Sequence, residues 1–277
     1  MLGKKEILTV ALGVLALSFS QPVLAAEDKD SEDISASIFR YKAALEQNPH
    51  SATNHLKLAK SYLMGGELDN AINEFRATLK INPEDAEAFM GLSRAYSRKG
   101  DIKQACDNIK ESVRLQPNES QYHLKYAQLL SRDNKLDQAV TEFKTAIKLN
   151  GKDANAHRDY GACLGLKGDV DGQIAEEKKA LAIDDKNADA YFYLGSAYAQ
   201  KVNKKEAIAA LKKCTEHDKK NADALRLLAS IYASEGQFKE AVQLAEQAVS
   251  INPDNARYVQ TRDKILAAKK KADSGNR

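Results

Sequence analysis

Three of the five histidines, His55, His123 and His157, stand at multiples of 34 residues from one another, and carboxylates are plentiful around them. Imidazole and carboxylate together make either a metal set or a general acid–base pair. The spacing argues against a metal. Side chains in register on successive helix layers lie about 10 Å apart, whereas zinc takes nitrogen ligands at about 2 Å. The histidines therefore read as helix-packing residues, and no metal or cofactor is expected. Glu177 raises the acid–base question separately. It occupies a place held by Phe75 and Phe143 elsewhere in the chain, and Gln173, one turn earlier, stands where alanine is the rule. Glu177 is expected to accept a hydrogen bond from His157 or Tyr191, with Gly161 leaving room for Gln173. A satisfied polar pair is the expectation; an enzyme site around Glu177 is the competing one. His217 reads as a tolerated replacement of an apolar residue. Cys106, Cys163 and Cys214 sit at three different small-residue places, and no pair is expected within the ~7 Å that a disulfide demands between Cα atoms. They read as three buried thiols. Asn118-Glu119-Ser120 matches a glycosylation triplet, a match that arises readily by chance. No glycine-rich phosphate loop, nucleophile elbow or paired metal motif is present. The chain is not expected to be an enzyme.

The elements behind these residues are set by a repeat. Gly66-Glu67-Leu68-Asp69-Asn70-Ala71-Ile72 returns at Gly100, Asn134, Gly168, Val202 and Gly236, always 34 residues on. Units starting at Ala52, Ala86, Ser120, Ala154, Ala188 and Ala222 give six copies without an insertion, through Asn255. Within a unit, apolar residues recur at helical spacing, as in Leu58 and Tyr62, then Ala71, Phe75 and Leu79. Gly or Asn occupies the mid-unit turn, where a left-handed backbone ends the first helix. Ser51, Asp85, Asp153, Asn187, Asn221 and Asn255 precede the units as helix caps. Pro49, Pro83, Pro117 and Pro253 stop the preceding helix. Small residues mark close helix crossings: Ala59, Ser93, Ala127, Gly161, Gly195 and Ala229 on the first helix, Ala71, Ala105, Ala139, Ala207 and Ala241 on the second.

This pattern resembles the tetratricopeptide repeat family. Phe89, Leu92, Ser93, Tyr96, Ala105 and Pro117 show most of its signature in one unit, and Ala241, Ala248 and Pro253 show its second half in the last. The resemblance implies an all-α, right-handed superhelical solenoid of antiparallel helix pairs, about fourteen helices once the flanks are counted. Residues 34–51 read as half a repeat, 256–270 as a charged capping helix and 271–277 as a fraying tail. The resemblance also implies that first helices line a concave groove, with side chains at the second, fifth, ninth and twelfth-to-thirteenth places. Here those are Leu56, Lys60, Met90, Arg94, Arg98, Leu124, Gln128, Arg132, Arg158 and Phe192. Arginine grips carboxylates and methionine adapts to varied ligands, so the expected partner is a protein or peptide with acidic and apolar side chains. Members that dock acidic chaperone tails carry asparagine at the ninth place; here no unit does, so that carboxylate clamp is not expected.

The flanks address location. Lys4 and Lys5 precede an apolar run from Ile7 to Phe19, then Pro22 and small residues through Ala25. This is the pattern of a secretory leader cleaved after Ala25, with a membrane anchor over residues 7–26 as the alternative. Export to the periplasm or the exterior follows. Residues 26–33 are acidic and expected to be disordered. A formal charge of +3, with 29% charged residues, gives no electrostatic case for nucleic acid.

Overall fold

The computed structural model describes residues 31–275, so the leader and its cleavage site lie outside the described residues. The described residues contain fourteen α-helices and no strand. The chain divides into two compact units, with the boundary between Gly151 and Lys152.

In the N-terminal unit, α1 (Ser31–Gln47) precedes three helix pairs: α2 (Ala52–Met64) with α3 (Leu68–Ile81), α4 (Ala86–Lys99) with α5 (Ile102–Leu115), and α6 (Ser120–Arg132) with α7 (Leu136–Leu149). Each helix packs on the next, and α4 also touches α2. The caps work as their chemistry requires. Ser51 accepts from the Asn54 N–H and Asp85 from the Ala88 N–H. Gly66 and Gly100 turn the chain with φ of 78° and 84°, and Asn134 does so at 58°. Helix crossings close on alanine and aromatic rings: Ala59, Ala71, Phe75, Ala139 and Phe143 have no exposed surface. A Cβ on Gly91 would lie 2.2 Å from the Phe75 ring, so glycine is what allows α3 and α4 to meet there. Helix α1 starts three residues before the half-repeat read from the sequence.

The C-terminal unit contains α8 (Ala154–Leu166), α9 (Val170–Ile183), α10 (Ala188–Gln200), α11 (Lys204–His217), α12 (Ala222–Ser234), α13 (Phe238–Ile251) and α14 (Ala256–Gly275). They stack in the same order, and first helices also touch one another: α8 with α10, α10 with α12, and α12 with α14. Helix α14 continues to Gly275, past the Lys270 at which the sequence places its end; alanines and lysines at 267–272 favour helix. The turn residue Val202 has φ 59°. A β-branched side chain pays for that conformation, which glycine adopts freely.

Candidate functional site

In the N-terminal unit, the outward side of α2, α4 and α6 carries the side chains the sequence selects, and they differ in how free they are. Arg94 is exposed and has no ion-pair or hydrogen-bond partner among the described residues. Arg98, one turn on, is exposed, but its Nη1 donates to the carbonyl of Leu63 on the preceding pair. Arg132 repeats the device one unit later, with Nη1 donating to Ser97 Oγ at 2.7 Å. Each of these two arginines stitches its repeat to the one before and keeps its remaining N–H groups uncommitted within that contact. Lys60 pairs with Glu87 across the same boundary. Leu56 and Met90 are half-buried, each packed at the edge of a core cluster, and Gln128 is half-buried. Leu124 is a correction. It is 7% exposed, a core residue and not a free groove side chain. Met64 is 55% exposed and borders a cleft of about 200 Å³ between α1 and α2, where Ile34 and Tyr41 stand beside the charged Asp33, Lys57 and Lys60.

The corresponding side of the C-terminal unit is closed. The ninth places hold Ala162, Ser196 and Ser230, all buried, where the N-terminal unit has Lys60, Arg94 and Gln128. Small side chains let the first helices approach, and the approach covers what lies between them. Phe192 is 4% exposed and belongs to the hydrophobic core with Tyr193, Leu211 and Leu227, which corrects its assignment to an open groove. Arg158 is held by Asp159 at 2.8 Å and Asp189 at 3.3 Å, so it too is committed inside the fold. Burial opposes its charge, but the attraction of Asp159 and Asp189 outweighs burial and holds the guanidinium above its ordinary value. Arg226 is buried beside Asp223, and there burial prevails and lowers it.

The polar residues of the fourth repeat make a buried cluster between α8, α9 and α10. Glu177 does not meet His157 or Tyr191. His157 Nδ1 bonds Glu176 Oε2 at 2.7 Å, and the Tyr191 ring stacks on His217 with centroids 5.7 Å apart. Both carboxyl oxygens of Glu177 are buried without a hydrogen-bond partner, as is Gln173 Oε1. Gln173 Nε2 donates to the Tyr193 carbonyl at 3.1 Å. The room left by Gly161 is taken by Glu177, whose Oε1 would lie 2.6 Å from a Cβ at that position. Burial pushes the Glu177 carboxyl well above the usual carboxylate range; Arg158 pulls the other way, while Asp159, Asp189 and Glu176 add to the rise. The Glu177 side chain has no exposed surface. None of the three cysteines is in a disulfide, and among the described residues no three metal-ligating side chains converge.

Profiles of the tetratricopeptide repeat match the chain over residues 65–129 and 203–265, and over 24–81 and 124–188. The chain belongs to the tetratricopeptide repeat family. Solved structures agree on the fold. YrrB, described as a tetratricopeptide repeat protein with an unusual peptide-binding site, aligns over 67% of this chain and 95% of its own, with TM-score 0.57 and 24% identity. PilW, a type IV pilus biogenesis factor, aligns over 76% of this chain and 97% of its own, with TM-score 0.69 and 19% identity. A chain of the APC/C hetero-tetramer Cut9-Hcn1 aligns over 95% of this chain and 53% of its own, with TM-score 0.71 and 17% identity. Among curated protein sequences no match was found.

Within this tetratricopeptide repeat chain, the histidine bridges are what residue-by-residue reading misses. His55, His123 and His157 each place Nδ1 on a glutamate of the paired helix, Glu74, Glu142 and Glu176, at 2.6, 2.6 and 2.7 Å. His55 and His123 also reach the Pro49 and Pro117 carbonyls with Nε2. The signal was available in the repeats themselves: the three units with histidine at the fourth place are the units with glutamate 19 residues later.

Proposed function

We propose that the chain is an exported scaffold that binds a protein or peptide on the first-helix face of its N-terminal unit. The observation that carries this reading is the contrast between the two units. The N-terminal face presents Met64, Arg94, Arg98 and Arg132 to solvent on packed helices, while the equivalent C-terminal places hold buried Ala162, Ser196, Gln200 and Ser230 and half-buried Leu166 and Ser234, none of them charged. Packed helices with a row of solvent-exposed cations and an apolar residue suit a ligand with carboxylates and an apolar side chain. The peptide-binding site of YrrB and the description of PilW as a pilus biogenesis factor support an interaction role on the same fold. Export rests on the leader pattern of Lys4, Lys5 and Ile7 to Ala25. No helix among the described residues is long and apolar enough to cross a membrane.

Photocrosslinking from position 64 in the compartment where the chain resides tests the binding assignment. Capture of a defined partner is expected, weakened when Arg94, Arg98 and Arg132 are reversed to glutamate together. Unchanged capture removes the face from consideration. The mass of the mature N-terminus tests export: a chain beginning at Ala26 supports it, and a chain retaining residues 7–26 supports the anchored alternative.

A further inference from the structure

We propose that this face reads an extended acidic peptide by register: an apolar residue, then carboxylates three and six residues further along. The inference rests on the binding reading above and specifies its ligand. The thirteenth place of the three N-terminal repeats holds Met64, Arg98 and Arg132. Equivalent places on successive first helices are about 10 Å apart, and a peptide in the polyproline II conformation advances about 3.1 Å per residue with three residues per turn, so every third side chain points the same way. One repeat therefore matches three peptide residues.

The side chains are prepared for this unequally. Arg98 and Arg132 are each fixed by Nη1 to the preceding repeat, through Leu63 and Ser97, so little freedom remains to be lost when a carboxylate arrives. Arg94 sits one helical turn from Arg98 on the same face of α4, and like charges at that spacing repel. A carboxylate between them relieves the repulsion and meets two guanidinium groups. The middle position is therefore the strongest. The first position falls at Met64, where the cleft against Ile34 and Tyr41 offers apolar contact. Lys60 does not join the row, because Glu87 already neutralises it.

Fluorescence anisotropy with three synthetic peptides on the full chain tests the register. The first has leucine followed three and six residues later by glutamate, in a glycine-serine background. The second has the same composition with the glutamates adjacent, and the third has lysine in place of both. The first is expected to bind about tenfold more tightly than the second, because adjacent glutamates reach the arginines of one repeat only, and the third not at all. Arg94→Glu, which breaks no contact in the fold, is expected to weaken the first peptide about tenfold, as is Arg132→Glu once circular dichroism shows its helix content intact. Loss of the middle glutamate is expected to cost more than loss of the last. Equal affinity for the first two peptides, or an Arg94→Glu chain that binds as wild type, overturns the register. If none of the peptides binds while position 64 still crosslinks a partner that the triple reversal releases, the register fails and the binding reading survives. If crosslinking is also indifferent to the reversal, both fail.

Discussion

Glu177 makes the stability of the fourth repeat depend on pH in a direction opposite to that of most carboxylates. In the folded chain its two oxygens are fully buried and unpartnered, and burial holds the proton on. In the unfolded chain the same carboxyl releases its proton near 4.3, the ordinary glutamate value of about that size. Between that pH and the raised folded value, the folded state binds the extra proton. The stabilisation is therefore complete below about pH 4.3 and is lost as pH rises through the window, by up to about 1.4 kcal/mol per pH unit. Glu177→Gln keeps the shape and removes the titration, so the difference between wild type and variant isolates this group from all others. Glu177→Leu goes further. Leu211 over Gly195 in the next repeat shows that a leucine seats over a glycine in this geometry, its Cγ 2.7 Å from where a Cβ would stand. Removing two unpartnered buried oxygens should add about 1–3 kcal/mol at neutral pH. The assay is urea denaturation read by helix circular dichroism across pH 5 to 8 (values chosen to span roughly the expected window), with amide exchange in α8 to α10 as a local readout. Parallel pH slopes for wild type and Glu177→Gln would refute the reasoning.

Two further substitutions test the packing and the turns. Val202→Gly should stabilise the chain by about 1 kcal/mol in thermal or urea unfolding, because it relieves the positive φ of a β-branched residue; a destabilised variant contradicts that account. Gly91→Ala should destabilise by about 1–3 kcal/mol, since its Cβ would press on the Phe75 ring, which lies in the core; an unchanged unfolding midpoint contradicts the close crossing of α3 and α4.

The sequence carried the fold further than the site, for a physical reason. Periodicity, caps and turn glycines act locally, so Ala59, Phe75, Ser51 and Gly66 announce their roles within a few residues. The freedom of a face residue depends on its neighbour one repeat away. Leu124 and Phe192 have the spacing of Leu56 and Met90, yet they are buried; Arg158 has the charge of Arg94, yet Asp159 and Asp189 hold it. The signal for Phe192 was the row of small side chains at the ninth place beside it, which lets helices close. Glu177 departs visibly from its repeat, but the carboxylate that meets His157 is its neighbour Glu176. The repeats carry that pairing in the chain itself, where histidine at the fourth place and glutamate 19 residues later occur together.

Met64 and Met90 are the two methionines among the described residues, and both lie on the face assigned to binding. Methyl-labelled methionine spectra in solution therefore report on that face directly. Addition of the acidic peptide with leucine at its head is predicted to shift the exposed Met64 methyl strongly and saturably, and the half-buried Met90 methyl less. A peptide that binds while both methyl signals stay where they were would place the ligand elsewhere and contradict the account.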